Sequence, residues 1–367
     1  MTQPDIIVIG GGIAGTSAAA HLAEHANVLL LEAEPQFGYH STGRSAAIFI
    51  RNYGNAVLRA LNNAAAPVLQ SGEGICDSGL LSPRGELLIA GEEDITELEN
   101  YAREATGLEH LSPEQALELV PILRPERIAA AILEPDAQDI DVDRMLQGYL
   151  RLLRGRGGKT VPNSRVCGLT RDNGLWRVTT KETEFSAPVI VNAGGAWADQ
   201  IAQMAGASPV GLTPMRRSAV LLDAPQGYNI DHWPLFASVT ESWYAKPDAG
   251  RLLVSPADED PTHPHDAWPD DMVLAEGLYR YEQAVTVAVT RPSHSWAGLR
   301  SFTPDRTPVV GFDPVQEGFF WLAGQGGYGV QTAPALATLC AALCIGKAPD
   351  LNAATVAELS PARFTRR

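Results

Sequence analysis

Short apolar runs without any polar alternation punctuate the chain at Ile6-Ile7-Val8-Ile9, Val28-Leu29-Leu30-Leu31, Val189-Ile190-Val191 and Phe319-Phe320-Trp321-Leu322. Strands buried on both faces read this way, so these runs predict a sheet covered on two sides, as in α/β folds. Three of them end in small-residue turns followed by helical sequence. Gly10 to Gly15 precedes a helix predicted from Thr16 to Ala26, and Ala193-Gly194-Gly195-Ala196-Trp197 opens a second. Gly324 to Gly329 leads into a third, predicted from Thr332 to Cys344. Each puts a helix start where it can face a bound anionic group.

The first turn carries the most information. Gly10-Gly11-Gly12-Ile13-Ala14-Gly15 has the Gly-x-Gly-x-x-Gly spacing of a dinucleotide site, and Glu32 ends the next apolar run 22 residues after Gly10. Gly10 allows the tight turn, Gly12 lets backbone amides reach a pyrophosphate, and Gly15 permits close helix-on-sheet packing. Glu32 stands where an acidic residue binds a ribose hydroxyl. After Glu32 the chain enters a polar stretch, Gly38 to Ala47, that can offer hydroxyls and amides to a second phosphate.

Between the apolar runs the pattern changes. Residues 76–139 mix strand-like pieces such as Glu86-Leu87-Leu88-Ile89 with acidic helices, one announced by the capping box Ser112-Pro113-Glu114-Gln115. A Leu-rich helix is predicted from Asp143 to the glycines at 155–158, and a hairpin at Asn173-Gly174. From 213 to 299, β-type runs at Ser218 to Leu222, Arg251 to Val254 and Ala284 to Val289 alternate with Pro-rich loops, which predicts an antiparallel sheet roofing a site. The expected organisation is a Rossmann-like cofactor domain from 1–75, 140–205 and 300–367, interleaved with an α+β substrate domain from 76–139 and 206–299.

Bulk properties narrow the options. A chain of 367 residues that is 45% hydrophobic supports full cores, and a net charge of -15 argues against nucleic acid as a partner. The one basic cluster, Arg363 to Arg367, reads as a solvated tail. With the first strand at residue 6 and no apolar run of spanning length, neither a signal peptide nor a transmembrane segment is expected, and the cytoplasm is the default compartment. Cys340 and Cys344 have the spacing of helix packing, and no cysteine pattern suits a metal. Asp258 to Asp271 holds six carboxylates with His263 and His265, but its Pro-interrupted spacing reads as a solvated loop and part of a mobile lid.

Several segments together resemble the D-amino-acid oxidase family of FAD enzymes, and within it the bacterial D-arginine dehydrogenase type. They are Gly38 to Ala47, Leu80 to Arg84, Arg216-Arg217-Ser218, Trp296 to Phe302 and Gln325-Gly326-Gly327-Tyr328-Gly329. The resemblance implies a noncovalent FAD in a domain of the glutathione-reductase type. Gly10, Gly12, Ile13, Ala14 and Gly15 would meet its pyrophosphate, with Glu32 and Ala33 on the ribose and Val166 near the adenine. Ser41, Thr42, Arg44, Ser45 and Ala46 would run along the phosphates and flavin, with Ala193, Gly194 and Trp197 in the second turn. Gly326, Tyr328, Gly329, Val330 and Gln331 would meet the flavin pyrimidine end, where loop amides and the helix dipole favour negative charge.

For the reaction, the resemblance implies oxidative deamination of an amino acid, in the D-configuration, by hydride transfer from Cα to flavin N5. An imino acid results, which water converts to a 2-keto acid. Arg217 and Arg300 would anchor the substrate carboxylate with the hydroxyls of Tyr53 and Tyr244, since a planar guanidinium suits bidentate binding. Arg216, beside Arg217, competes for that role. The Gly327 carbonyl would receive the amine, and Glu86 would face a cationic side chain. The chain departs from its resemblance at Ile48, where the D-arginine enzymes have His; this turns the pocket toward a bulkier, more apolar or differently substituted amine. A secondary amine, a 2-hydroxy acid or a flavin-bound subunit without turnover are the alternatives. The electron acceptor, whether quinone, oxygen or a partner protein, is left open.

Overall fold

The computed structural model describes residues 3–364. Its first sheet has six strands in the order Val309–Phe312, Phe319–Ala323, Val189–Asn192, Ile6–Ile9, Val28–Leu31, Lys159–Val161. All neighbours run parallel except the outermost pair, Val309–Phe312 with Phe319–Ala323. The uninterrupted apolar runs are explained by burial on both sides. Val8, Leu30, Val191 and Phe320 face the helices Ile13–Leu22, Ala56–Ser71, Val142–Gly155 and Gly329–Cys344. Ile7, Leu29, Ile190 and Trp321 face a three-stranded meander, Val166–Asp172, Leu175–Thr180 and Glu184–Ala187, and the helix Ala198–Met204. The Asn173-Gly174 hairpin of that meander has both turn residues at positive φ, the backbone such a two-residue turn demands.

A second sheet of nine strands lies against the first unit. Its path is Asp260–Pro261, Thr213–Asp223, Arg251–Ser255, Tyr244–Asp248, Leu235–Ser238, Glu86–Ala90, Ala130–Glu134, Glu109–Leu111, with His294–Phe302 also paired to Thr213–Asp223. The expected antiparallel character holds throughout except between Leu235–Ser238 and Glu86–Ala90, which are parallel. One face is apolar: Leu87, Val220, Phe236, Ala245 and Val254 pack under Leu274, Tyr281 and Ala284 of the helix Asp271–Ala284. The other face turns toward the six-stranded unit. Another small sheet, Ile48–Phe49, Gln138–Ile140 and Leu81–Pro83, joins chain segments that are far apart in sequence. Arg300 to Phe302 end the His294–Phe302 strand, so they belong to the nine-stranded sheet.

Three local expectations are corrected. The first helix runs from Ile13 to Leu22, starting earlier and ending sooner than Thr16 to Ala26, because Thr42 Oγ1 accepts from Ile13 N–H at 3.0 Å and supplies the cap that Gly12 lacks. Ala284 to Val289 is no strand: Ala284 closes the helix, and only Val285 forms a bridge, to Leu123. Arg363 is not a solvated tail residue, since its guanidinium binds Asp305 at 2.8 Å and the Thr307 carbonyl at 2.7 Å; Arg366 and Arg367 lie outside the described residues. Among the described residues no helix is long and apolar enough to cross a membrane, and no cluster of His, Cys, Asp and Glu could hold a metal.

Candidate active site

The first Gly turn is built for close approach. Gly10 sits at φ +112°, where a Cβ would lie 2.3 Å from the Ala193 carbonyl oxygen, and a Cβ on Gly15 would lie 1.9 Å from that of Gly10. No side chain fits either place, so the turn, the helix and the 189–192 strand are held in contact. Above them lies a cavity of about 430 Å³. Gly10, Gly12, Ile13, Ala14, Glu32, Ala33, Ser41 and Thr42 line it from the N-terminal unit, and Val166, Ala193, Gly194, Trp197, Gly326 and Gly329 from later segments. Gly15 lies behind the wall as a packing residue. The glycine cradle and the helix start suit the pyrophosphate of a dinucleotide such as FAD.

Several side chains named for the cofactor are engaged by the protein itself. Glu32 accepts from Gly11 N–H at 2.5 Å through one oxygen and from Glu34 N–H at 2.8 Å through the other, which ties the second strand to the Gly turn. Burial raises its carboxyl above the usual range, against the lowering by those hydrogen bonds. Ser41 Oγ donates to the Leu299 carbonyl at 2.6 Å, and Arg44 spends its guanidinium on the carbonyls of Ala267 and Ala297, both at 2.9 Å, and on Asp266 at 2.5 Å. Ser41 and Arg44 thus fasten the 41–44 turn to the large sheet. Gln331 accepts from Ile50 N–H at 3.1 Å and donates to Asn62 at 2.8 Å, so its side chain supports the segment that carries Tyr53. Tyr328 packs on Tyr53, ring centroids 4.7 Å apart. Gln325, which opens the Gln325 to Gly329 segment but was given no role there, lines the cavity with a buried and unpartnered Nε2; its place directly before Gly326 was the available signal.

A smaller cavity of about 100 Å³ shares Ile13, Ser41, Thr42, Leu299, Gly326 and Gly329 with the first. Arg44, Ser45, Ala46 and Val330 join its lining, and so do Arg217, Tyr244, Arg300 and Gly327. Cross-strand register puts Arg217 opposite Gly298 and therefore diagonal to Arg300 on the same face. Arg216 turns away to Asp260, at 2.9 Å, which settles the geometry of the Arg pair. Arg300 Nη1 is buried without a hydrogen-bond partner, a cationic donor aimed where nothing in the protein accepts. Burial opposes its charge, but Tyr53, Tyr244, Glu241 and Glu259 outweigh that and hold it protonated. Gly327 makes room for it: a Cβ there would lie 2.9 Å from Nη1. Arg217, in contrast, has partners within the protein, with Nε on the Asp258 carbonyl at 2.8 Å and Nη2 on Glu259 at 3.1 Å.

Tyr53 and Glu86 stand outside the lining of this cavity. Tyr53 is coupled to Arg300 electrostatically, and burial pushes its hydroxyl well above the usual range. Glu86 is 8% exposed and directly opposes Glu134 across the strands. Burial, then Glu134 and Glu241, raise its carboxyl well above normal, with no cation offsetting them. Glu134, missed in the sequence, accepts from Arg51 N–H at 2.8 Å and Asn52 Nδ2 at 2.7 Å and so braces the Tyr53 segment from the other side. The acidic stretch from 258 is no free lid: Asp258 is buried and accepts from Ser218 N–H at 2.6 Å and Ser218 Oγ at 2.9 Å.

Comparison with known proteins identifies the family. The family model described as DAO, FAD dependent oxidoreductase, matches residues 5–343. FAD-dependent oxidoreductase domain-containing protein 1 of Mus musculus is 26% identical over 99% of this chain and 85% of its own. Sarcosine dehydrogenase of the same species is 25% identical over 86% of this chain, which spans only 37% of that protein. Glycine oxidase of Geobacillus kaustophilus is 25% identical over 99% of this chain and 97% of its own, and its crystal structure superposes with a TM-score of 0.86 over 100% of both chains at 22% identity. The chain belongs to the DAO family of FAD-dependent oxidoreductases.

Proposed function

We propose that this protein oxidises the C–N bond of an amino acid, in the D-configuration, to an imino acid that hydrolyses to a 2-keto acid. The observation that carries the reading is the orphaned Nη1 of Arg300, a buried cationic donor beside the cavity that continues the cofactor cleft. A substrate carboxylate is the partner such a donor lacks. FAD, when bound, supplies the two-electron acceptor for the reaction. Arg300 holds the carboxylate, Tyr244 orients it, Tyr53 acts from behind the cavity wall through Arg300, and the carbonyl of Gly327 accepts from the amine. Fixing the Cα in this way supplies alignment, the main contribution a binding site makes to such a transfer. Glu86, unpaired and buried, is the natural counter-ion for a cationic side chain, and Glu241 adds to the same negative field. Likeness to proteins named for glycine and sarcosine supports an amino-acid substrate.

A second reading, a secondary amine such as an N-methyl amino acid, is favoured by Ile48, an apolar residue paired across the small sheet to Asp139, and by the sarcosine dehydrogenase likeness. Purified holoprotein should be yellow and bleach anaerobically with D-amino acids, cationic ones fastest. Bleaching by sarcosine with none by D-amino acids would select the second reading, and a flavin unmoved by either class would rule out both.

A further inference from the structure

Arg217 and Arg300 share one sheet face, yet Arg217 is paired with a carboxylate of the protein while Arg300 Nη1 is buried without a partner. Arg217 is 8% exposed and bound on two sides by the segment that follows the Arg251–Ser255 strand: the Asp258 carbonyl takes Nε, and the Glu259 carboxylate takes Nη2. That segment is itself anchored, because Asp258 accepts two hydrogen bonds from Ser218. Glu259 is fixed from its far side as well, both of its oxygens meeting Arg306 Nη2 at 3.1 and 3.0 Å. Arg306 in turn lies over the Phe302 ring, 3.9 Å from its centroid. The carboxylate on Arg217 is therefore a built feature rather than a passing surface pair.

We infer that Glu259 is a specificity-determining residue that masks Arg217 and so restricts the site to substrates with a single carboxylate. The inference rests on the reading that Arg300 binds the substrate carboxylate. Two unmasked guanidiniums placed diagonally across neighbouring strands, on backbone positions roughly 7 to 8 Å apart, could take two carboxylates of one small molecule. With Glu259 in place, one positive charge is already neutralised within the protein. A second substrate carboxylate would then have to displace Glu259 or stay unpaired in a buried site, and either is costly. Glu86 and Glu241 work in the same direction by making the remaining field negative. Glu259 does not itself line the cavity; it reaches it through its hydrogen bond to Arg217, which does, and its charge adds to the field on Arg300.

The test is E259Q in the FAD-loaded protein, with D-aspartate and D-asparagine as an isosteric pair and iminodiacetate and sarcosine as the secondary-amine pair. In whichever class reduces the flavin, the dicarboxylate-to-monocarboxylate ratio of kcat/KM should rise about tenfold or more, a typical value for unmasking one charged hydrogen-bonding group. The double variant E259Q/R217Q should return the ratio to the parent level. A ratio within twofold of the parent in E259Q, or a rise that persists without Arg217, overturns the inference. Malonate and acetate dissociation constants, read from the shift in flavin absorbance, provide a measure independent of turnover. If no amine reduces the flavin, the proposed reaction fails, while a preference for malonate gained in E259Q and lost in E259Q/R217Q still upholds the masking of Arg217, and its absence rejects it.

Discussion

The two faces of the nine-stranded sheet are made by the same strands and do opposite things. On one, Leu87, Val220, Phe236, Ala245 and Val254 form an apolar core under the helix Asp271–Ala284. On the other, strand alternation places Glu86, Arg217, Tyr244, Lys246 and Arg300. Both faces are buried: Glu86 and Arg217 are each 8% exposed and Lys246 is 4% exposed. The first face stabilises by removing apolar surface from water. The second is retained against the cost of desolvating charge, and most of that cost is met by pairing, as in Lys246 with Asp139 at 2.6 Å and Asp139 with Arg84 at 2.7 Å. Arg300 Nη1 and Glu86 are where pairing stops, and those are the groups assigned to substrate.

The sharpest way to break this contrast is Arg300→Gln. The flavin should stay bound, since the 10–15 turn is untouched, while kcat/KM for flavin reduction should fall about a thousandfold, roughly 4 kcal/mol for a buried charge-assisted contact. Anaerobic stopped-flow reduction checks this, and a loss under tenfold would remove Arg300 from the carboxylate site. On the apolar face, Phe236→Ala should do the reverse. It should lower unfolding free energy by about 3 to 5 kcal/mol and leave activity per folded molecule within a few-fold, as measured by chemical denaturation alongside turnover.

A smaller effect separates function from stability on the polar face. Glu86→Gln should raise stability at neutral pH by about 1 to 3 kcal/mol, the usual cost of an uncompensated buried group. The sign follows from linkage. The folded-state pKa of Glu86 is raised above its unfolded value near 4.5, so its contribution is fully present below about pH 4.5 and is lost as pH rises toward the folded value. The advantage of the Gln variant should therefore vanish near pH 4.5 and grow above it. Melting temperatures of both proteins across that range decide the matter, and an advantage independent of pH would contradict it.

Periodicity was a good guide where burial and polarity agree. The apolar runs at 6–9, 28–31, 189–191 and 319–322 become the neighbouring strands of the cofactor sheet, and Gly10 and Gly15 take the two contacts that no other residue fits. It was a poor guide where a polar residue is buried by another part of the chain. Asp258 and Glu259 read as solvated because nothing local predicts Ser218, Arg217 or Arg306 beside them. Nothing local predicts that Arg44 engages Ala267, Ala297 and Asp266, which are more than 200 residues away. The Ala284 to Val289 run had strand character but found no strand to pair with.

By itself the sequence determined the sheet that binds a dinucleotide, the Gly turn that approaches it and the residue types available for an amino-acid site, because each depends on local spacing and backbone sterics. Tertiary structure alone decided which of those residues are free. Hydrogen-bonding capacity is finite, and which of Arg217 and Arg300 meets a carboxylate within the protein depends on segments delivered from far along the chain.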